Sequence, residues 1–325
     1  MNYMRIIFKK FKARMIVGCI LAVIALLAVS VIVFINQASF GRTPRGERLE
    51  RVMKSPNYRN GEFKNQHETL LMTSDRGRFS GIWEFIFRKI DGLRPEQAVK
   101  AIKTDLRKIG RNEEILVWFG HSSYLIQTGG KRILVDPVFR MASPVSFVNK
   151  PFKGTELYTP DDMPDIDYLV ISHDHWDHLD YNTVKKLKDR IGAVICPLGV
   201  GEHFEYWGFD KERLIELDWN EDANLAPDFM IHCLPARHFS GRGLTANQSL
   251  WASFLLETPS QKIYIGGDGG YDTHYAEIGN RFPDIDLVIL ENGQYNEEWS
   301  LIHLMPQYMA QTARDLKAKR VLTVH

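Results

Sequence analysis

The chain is poor in cysteine, and its three cysteines, Cys19, Cys196 and Cys233, lie far apart in the sequence. A thiolate zinc site needs cysteine pairs at short spacing, so this class of metal site is excluded. Cys196 and Cys233 lie in apolar, strand-like runs, where a buried free thiol is common. An oxidising compartment would also permit a disulfide between them, and the sequence leaves both alternatives open.

An excess of charge of one sign is also lacking. Lys and Arg number 41 and Asp and Glu number 40, which gives a formal net charge of +1 at pH 7. Such a chain has no overall electrostatic attraction to nucleic acid, and we expect no nucleic-acid partner. Hydrophobic residues make up 44% and charged residues 25% of the chain, as in an ordinary globular protein.

The strongest compositional bias lies at the N-terminus. A basic stretch over residues 1–14 precedes an uncharged apolar run over residues 15–35. As a helix, this run would extend about 31 Å, enough to cross the hydrocarbon core of a bilayer. We expect an uncleaved, single-pass transmembrane anchor with a cytoplasmic basic tail, which leaves the rest of the chain on the extracytoplasmic side, periplasmic or extracellular. A cleaved signal peptide is the alternative, although only Gln37-Ala38-Ser39 resembles a cleavage site.

Residues 36–112 are predicted to form a juxtamembrane accessory segment. Its first part places five basic residues close to the predicted membrane surface, namely Arg42, Arg45, Arg48, Arg51 and Lys54. They form either a solvated linker or a patch that contacts anionic lipid headgroups. The aromatic-rich stretch 79–93 either packs on the main domain as a short helix or enters the bilayer surface. The pattern of residues 95–109, with Pro95 near the start, predicts an amphipathic helix.

Residues 113–325 are predicted to form the catalytic domain, in which short apolar strands alternate with helices. Strands are predicted at 115–119, 123–128, 132–135, 167–172, 193–196, 229–235, 250–257, 262–265, 287–290 and 320–324. Helices are predicted at 182–191 and near 200–207, 274–280 and 306–319. Runs of strands broken by helices predict two sheets packed together with helices outside.

The most informative motif follows the buried strand that ends near residue 171. His173, His175, Asp177 and His178 lie within six residues, in the pattern H-x-H-x-D-H. Neutral imidazole and carboxylate are the ligand types that zinc accepts. At this chain's His and Asp frequencies the pattern would arise by chance in about one such chain per thousand. The motif therefore predicts a metal site.

Four further candidates follow predicted strands elsewhere in the chain, namely Asp136, His238, Asp268 and His325. A hydrolase that uses two metal ions draws about six or seven ligands from strand ends that are far apart in sequence. Asp268 lies within a Gly-Gly-Asp-Gly-Gly run, where the glycines allow a tight turn and leave room beside the carboxylate. For Asp136 we expect a structural role beside the ligands rather than a bond to metal.

This ordered set of histidines and aspartates resembles that of the metallo-β-lactamase fold superfamily. Three motifs resemble its N-acylphosphatidylethanolamine phospholipase D branch, namely Trp118-Phe119-Gly120-His121-Ser122-Ser123, Leu250-Trp251-Ala252-Ser253-Phe254 and Gly267-Asp268-Gly269-Gly270-Tyr271. Phe40-Gly41-Arg42 and Ser55-Pro56-Asn57-Tyr58 are similar to segments of membrane-anchored bacterial members. The resemblance implies an α+β fold, an αββα four-layer sandwich with the metals at one edge, between the two sheets.

The resemblance also implies how two zinc ions would be held. One zinc would take His173, His175 and His238, the second would take Asp177, His178 and His325, and Asp268 would bridge them. Other transition metals are alternatives to zinc. Chains of this branch usually continue for a short stretch past the last histidine, whereas this sequence ends on it, and terminal residues fray easily.

Four more residues are expected beside these ligands. His303 occupies the place of a histidine that the branch uses between the bridging Asp and the last ligand, which implies substrate contact or proton transfer. His121 and Asp136 are expected to support the ligands through hydrogen bonds. Trp176 either lines the substrate cleft or packs under the ligand loop.

The function implied by the resemblance is that of a dizinc phosphodiesterase of phospholipase D type, acting on N-acylphosphatidylethanolamine-like phospholipids at a membrane surface. Asp268 would orient the attacking water and take its proton, and His303 would donate a proton to the leaving group. Two alternatives stay open. One is a dimetal lactonase or esterase for a small phosphorylated or other ester, which a narrow, basic site would favour. The other is a non-catalytic, membrane-tethered metal-binding protein.

Overall fold

The computed structural model describes residues 2–73, 94–140, 142–145, 150–293 and 296–325. The predicted segment 79–93 lies outside the described residues. The chain divides into two compact units, Met1–Phe40 and Gly41–His325. Gly41 and the described residues that follow it up to residue 112 belong to the same compact unit as residues 113–325.

The first unit consists mainly of helix α1, Asn2–Ile35. Its part Lys10–Ile35 is long and apolar enough to cross a membrane, and none of its apolar window is buried within the structure. A membrane anchor requires such a long apolar helix whose surface is not buried by other parts of the protein.

The second unit begins with an arm of residues 41–65, which we call the N-terminal arm. It contains helix α2, Gly46–Lys54, and a two-stranded hairpin of β1, Tyr58–Arg59, and β2, Glu62–Phe63. Arg48 is buried and pairs with Glu202 at 2.6 Å and with Glu216 at 2.6 Å. Arg42 pairs with Glu202 at 2.5 Å. These two arginines thus form ion pairs within the second unit, and neither belongs to a solvated linker or a lipid-binding patch. Arg45 and Lys54 are exposed, and for them both alternatives stay open.

The helix predicted at 95–109 does not form. The described part of this segment is irregular except for a single 3₁₀ turn, Leu106–Lys108. Only Leu106 is buried, while Ile102 is 88% exposed. The backbone of Val99 instead donates to the carbonyl of Lys153 at 2.7 Å. The prediction was wrong because only the end of the segment packs on the domain, through Leu106 and Ile109, so no apolar stripe along a helix is buried.

Two six-stranded mixed sheets form the body of the second unit. The first sheet has the order β3-β4-β5-β6-β7-β8 and the second β14-β13-β12-β11-β10-β9. The strands of the first sheet are β3 Ile115–Gly120, β4 Ser123–Thr128, β5 Lys131–Val135, β6 Ile166–Val170, β7 Ile191–Pro197 and β8 Leu214–Leu217. Those of the second are β9 Asp222–Ala226, β10 Phe229–Leu234, β11 Ser253–Glu257, β12 Lys262–Ile265, β13 Leu287–Glu291 and β14 Val321–Val324.

Helices cover the outer face of each sheet. Helices α3, Tyr181–Leu187, and α4, Gly201–Tyr206, pack on the first sheet through buried residues such as Val184 and Phe204. Helices α5, His274–Arg281, and α6, Met309–Asp315, lie on the second sheet, where Ile278 is buried. The predicted αββα sandwich is therefore confirmed.

The alternation of side chains along the strands separates three apolar cores among the residues that the structure describes. The largest lies between the sheets and includes Ile195, Ile231 and Cys233. Cys196, one residue after Ile195, instead faces the helices on the outer side of the first sheet. Both cysteines are buried and free.

The parallel strands position the candidate residues. β5, β6, β7 and β8 run parallel, as do β12, β13 and β14. Because Val135 pairs with Val170, and Ile265 pairs with Ile289, the residues that follow these strands emerge at the same edge of each sheet. Polar side chains that are distant in sequence therefore meet at this edge.

Candidate metal centre

All seven candidate ligands lie together at this edge. Their ligand atoms fall into groups whose members lie within 4.8 Å of one another. One group contains His173, His175 and His238, and another contains His121, Asp177, His178 and His325. We call these the first and second clusters.

Three imidazole nitrogens converge in the first cluster. Nδ1 of His175 lies 2.9 Å from Nε2 of His173 and 3.2 Å from Nε2 of His238. His238 donates from Nδ1 to the carbonyl oxygen of Ile302 at 2.7 Å, which leaves the lone pair of its Nε2 directed at the cluster. Burial lowers the pKa of each of the three histidines, so they are neutral near pH 7. Neutral imidazole is the form that binds a metal ion.

The second cluster is organised by Asp136. His178 and Asp136 are both buried, and Nδ1 of His178 lies 2.8 Å from Oδ2 of Asp136. The same carboxylate accepts hydrogen bonds from the backbone N–H and the hydroxyl of Ser172 at 2.8 and 2.6 Å. Asp136 therefore fixes the His178 ring with Nε2 directed inward, the supporting position expected for it.

His121 and His325 complete the second cluster. Nε2 of His121 lies 3.1 Å from Oδ2 of Asp177. Nε2 of His325 lies 3.9 Å from the same oxygen. His121 is thus hydrogen-bonded to a candidate ligand, and its own ring nitrogen lies within the second cluster.

Asp268 lies between the two clusters. One carboxylate oxygen is 3.1 Å from Nε2 of His178, and the other is 3.1 Å from Nε2 of His325 and 3.9 Å from Nε2 of His238. Burial would raise the pKa of Asp268, but His178 and His325 outweigh it and hold the pKa well below its usual value. An ionised carboxylate in this place can contact a cation in either cluster.

The buried polar atoms show that the residues fit a metal centre. Nε2 of His178, Oδ1 of Asp268 and Nε2 of His325 are buried without a hydrogen-bond partner among the described residues. A buried polar atom that lacks a partner costs about 1–3 kcal/mol. Three such atoms within one cluster of imidazole and carboxylate groups are satisfied together if cations bind there.

A glycine lets the loop of Asp268 approach the ligand loop. Gly267 has a φ of +61°, and a Cβ there would lie 2.7 Å from Cβ of Ser172. Any larger residue at position 267 would push the two loops apart.

A buried arginine that the sequence interpretation missed fixes the H-x-H-x-D-H loop. Arg242 donates to the carbonyl oxygens of Asp174 and Leu179 at 2.8 and 2.7 Å. Its guanidinium lies 4.1 Å from the centre of the Trp176 ring. Trp176 is half-buried and packs on this arginine.

A second missed residue is Glu291, the last residue of β13. It is buried and accepts from Nδ1 of His303 at 2.8 Å and from the backbone N–H of Gly269 at 2.7 Å. Burial lowers the pKa of His303, but Glu291 outweighs it and raises the pKa to about 9. Nδ1 of His303 is 3.7 Å from Asp268. A glutamate that ends an apolar strand was the available signal, but the predicted strand stopped at residue 290.

Comparison with known proteins identifies related chains. The beta-lactamase superfamily domain model matches residues 131–325. An uncharacterised protein of Mycobacterium tuberculosis is 38% identical over 260 residues, which span 78% of this chain and 68% of that protein. The N-acyl-phosphatidylethanolamine-hydrolyzing phospholipase D 1 of Caenorhabditis elegans is 29% identical over 225 residues, which span 64% of this chain and 62% of that protein.

A solved structure has the same fold. CmlA, a diiron beta-hydroxylase from Streptomyces venezuelae, aligns with a TM-score of 0.51 and 20% sequence identity over 65% of this chain and 44% of its own. At this identity the likeness concerns the fold alone. The family model, by contrast, spans more than half of the chain and all seven candidate ligands. The chain therefore belongs to the beta-lactamase superfamily domain family and has the metallo-β-lactamase fold.

Proposed function

We propose that this protein is a metal-dependent hydrolase, and that its activity is phosphodiester hydrolysis of phospholipase D type on N-acylphosphatidylethanolamine-like phospholipids. The observation that carries the hydrolase proposal is the pair of His and Asp clusters joined by Asp268. His173, His175 and His238 would hold one zinc, Asp177, His178 and His325 the other, and Asp268 both. A binding protein without catalysis would not need His303, which is held beside Asp268 by a buried glutamate.

Two residues of the chain supply proton transfer. Zinc bound in these clusters would acidify water and neutralise negative charge on a substrate oxygen. The ionised carboxylate of Asp268 orients the attacking water and accepts its proton. Nδ1 of His303 lies 3.7 Å from the Asp268 carboxylate, and the protonated ring of His303 donates to the leaving oxygen.

Two observations support a lipid substrate. Helix α1 has the length and composition of a membrane span, and a span would hold the catalytic unit close to lipid. The Caenorhabditis elegans relative has a name that specifies hydrolysis of N-acyl-phosphatidylethanolamine. We therefore propose a single-pass membrane protein whose catalytic unit acts on phospholipid on the extracytoplasmic side.

The proposal is tested with the full-length protein in detergent, loaded with zinc. Incubation with N-acylphosphatidylethanolamine in mixed micelles is expected to release phosphatidic acid and N-acylethanolamine. Asp268→Ala removes a residue of the metal clusters, and Asp189→Ala removes an exposed aspartate outside them. Only the first change is expected to abolish the release.

Other outcomes would separate the alternatives. Hydrolysis of a small phosphorylated lactone, with the phospholipid left intact, would replace the lipid substrate and keep the hydrolase. Bound zinc without turnover of any ester would point to a non-catalytic metal-binding protein.

A further inference from the structure

We infer that the N-terminal arm, residues 41–65, positions the first metal cluster from outside the family domain. The arm precedes the residues that the family model matches, 131–325. Two of its contacts reach the backbone or side chains next to His173, His175 and His238. The inference rests on the proposed metal centre, because it assigns the arm the role of fixing that cluster's geometry.

The first contact runs through His203 to the ligand loop. The backbone N–H of Arg42 donates to Nδ1 of His203 at 3.0 Å. His203 therefore carries its proton on Nε2, which lies 3.1 Å from Oδ2 of Asp174. Asp174 stands between His173 and His175 in the sequence and is 4% exposed.

Asp174 is held on several sides. Its carboxylate also accepts from the backbone N–H of Gly241 and from the hydroxyl of Ser249, each at 2.7 Å. Asp174 therefore fixes the backbone from which His173 and His175 project. The arm completes this network through His203.

The second contact is made directly to His238. The amide of Asn65 donates to the carbonyl oxygen of His238 at 2.8 Å and accepts from its backbone N–H at 3.1 Å. The same amide oxygen accepts from the indole N–H of Trp251 at 3.1 Å. Asn65 thus fixes the backbone of the third member of the cluster.

The two contacts act on opposite sheets. His173 and His175 follow β6 of the first sheet, whereas His238 follows β10 of the second. The arm reaches the first loop through His203 and contacts the second loop directly through Asn65, and Arg48 anchors it through ion pairs. It therefore helps to hold together ligands that come from different sheets.

Gly41 makes the approach to His203 possible. It has a φ of +69°, and a Cβ at this position would lie 2.0 Å from Nδ1 of His203. Gly46 provides a matched control, because its φ is +53° and no atom lies within 4 Å of a Cβ placed there. Alanine would strain the backbone at both positions, but it would displace His203 only at position 41.

The test measures zinc affinity of the full-length protein in detergent by competition with a chromophoric chelator. Gly41→Ala is expected to weaken binding of one of the two zinc ions about tenfold, the effect typical of residues that orient metal ligands. Gly46→Ala is expected to leave both affinities unchanged. Equal affinities in the two variants would overturn the inference, whereas wild-type protein that binds no zinc would overturn the metal centre itself.

A second pair of variants distinguishes a specific loss of zinc affinity from a general loss of stability. His203→Phe keeps the ring that stacks on Trp207 but removes both hydrogen bonds, while His203→Gln keeps a donor for Asp174. The expected result is weaker zinc binding in the Phe variant and recovery in the Gln variant, at matched thermal stability of the metal-free proteins. If zinc affinity falls in step with the thermal stability of the metal-free protein across all four variants, the arm only stabilises the fold. That result would overturn the inference.

Discussion

Glu291 accepts a 2.8 Å hydrogen bond from Nδ1 of His303, and both residues are buried. Its other carboxylate oxygen accepts from the backbone N–H of Gly269, the residue after Asp268. One carboxylate therefore fixes both the His303 ring and the turn that carries Asp268. The orientation of the two proposed proton-transfer groups depends on this single side chain.

Glu291→Gln is expected to lower kcat about 10- to 100-fold with little change in KM, because the ring of His303 loses its ionic partner. Hydrolysis of the phospholipid under saturating substrate measures kcat. Glu257→Gln is the control, since Glu257 also ends a strand and lies 3.2 Å from a histidine, His232, outside both clusters. A similar loss in both variants would contradict the role of Glu291.

His175→Ala and Asp268→Ala are each expected to abolish activity and leave the fold largely intact. Each removes a ligand group but neither belongs to the apolar cores. Activity assays, metal content by mass spectrometry and circular dichroism measure the three properties. Activity that survives Asp268→Ala on every phosphodiester and lactone would contradict the two-metal mechanism.

Metal removal is expected to destabilise the second unit. Zinc at about 100 times its Kd adds about 2.7 kcal/mol of stability per site, because it binds only the folded chain. For a unit that spans Gly41–His325, chelation should therefore lower Tm by about 4–5 °C per site. Thermal unfolding with and without a chelator measures the shift, and addition of zinc should restore the original Tm.

Arg48→Ala is expected to destabilise the protein by about 3 kcal/mol, because Glu216 would stay buried without its arginine while Glu202 keeps its pair with Arg42. Arg51→Ala serves as the control. Arg51 pairs with Glu221, and both side chains are nearly half exposed, so its loss should cost about 0–1 kcal/mol. Denaturant-induced unfolding of both variants measures the difference. Equal losses would show that burial does not decide the strength of these pairs.

The sequence predicted those parts of the fold in which one local pattern decides the structure. Apolar runs such as residues 263–265 predicted buried strands. The H-x-H-x-D-H spacing identified the loop that carries several of the candidate metal ligands. Strands β8 and β9 were missed, since Glu216 and Asn224 interrupt their apolar pattern.

The parts of the site that were not predicted from the sequence depend on tertiary contacts. Arg242 and Asp174 look like ordinary loop residues until the folded chain buries them against the ligand loop. The basic residues next to the anchor could not be assigned, because their glutamate partners lie about 150 or more residues away. Pairing across such separations is decided by the packing of the whole unit.

The position of the two cysteines in the second unit determines how its covalent structure responds to thiol reductants. Cys233 points into the layer between the sheets and Cys196 into the layer under the helices, and both thiols are free. The described part of the second unit therefore holds no disulfide bond between these residues, and a thiol reductant leaves its covalent structure unchanged.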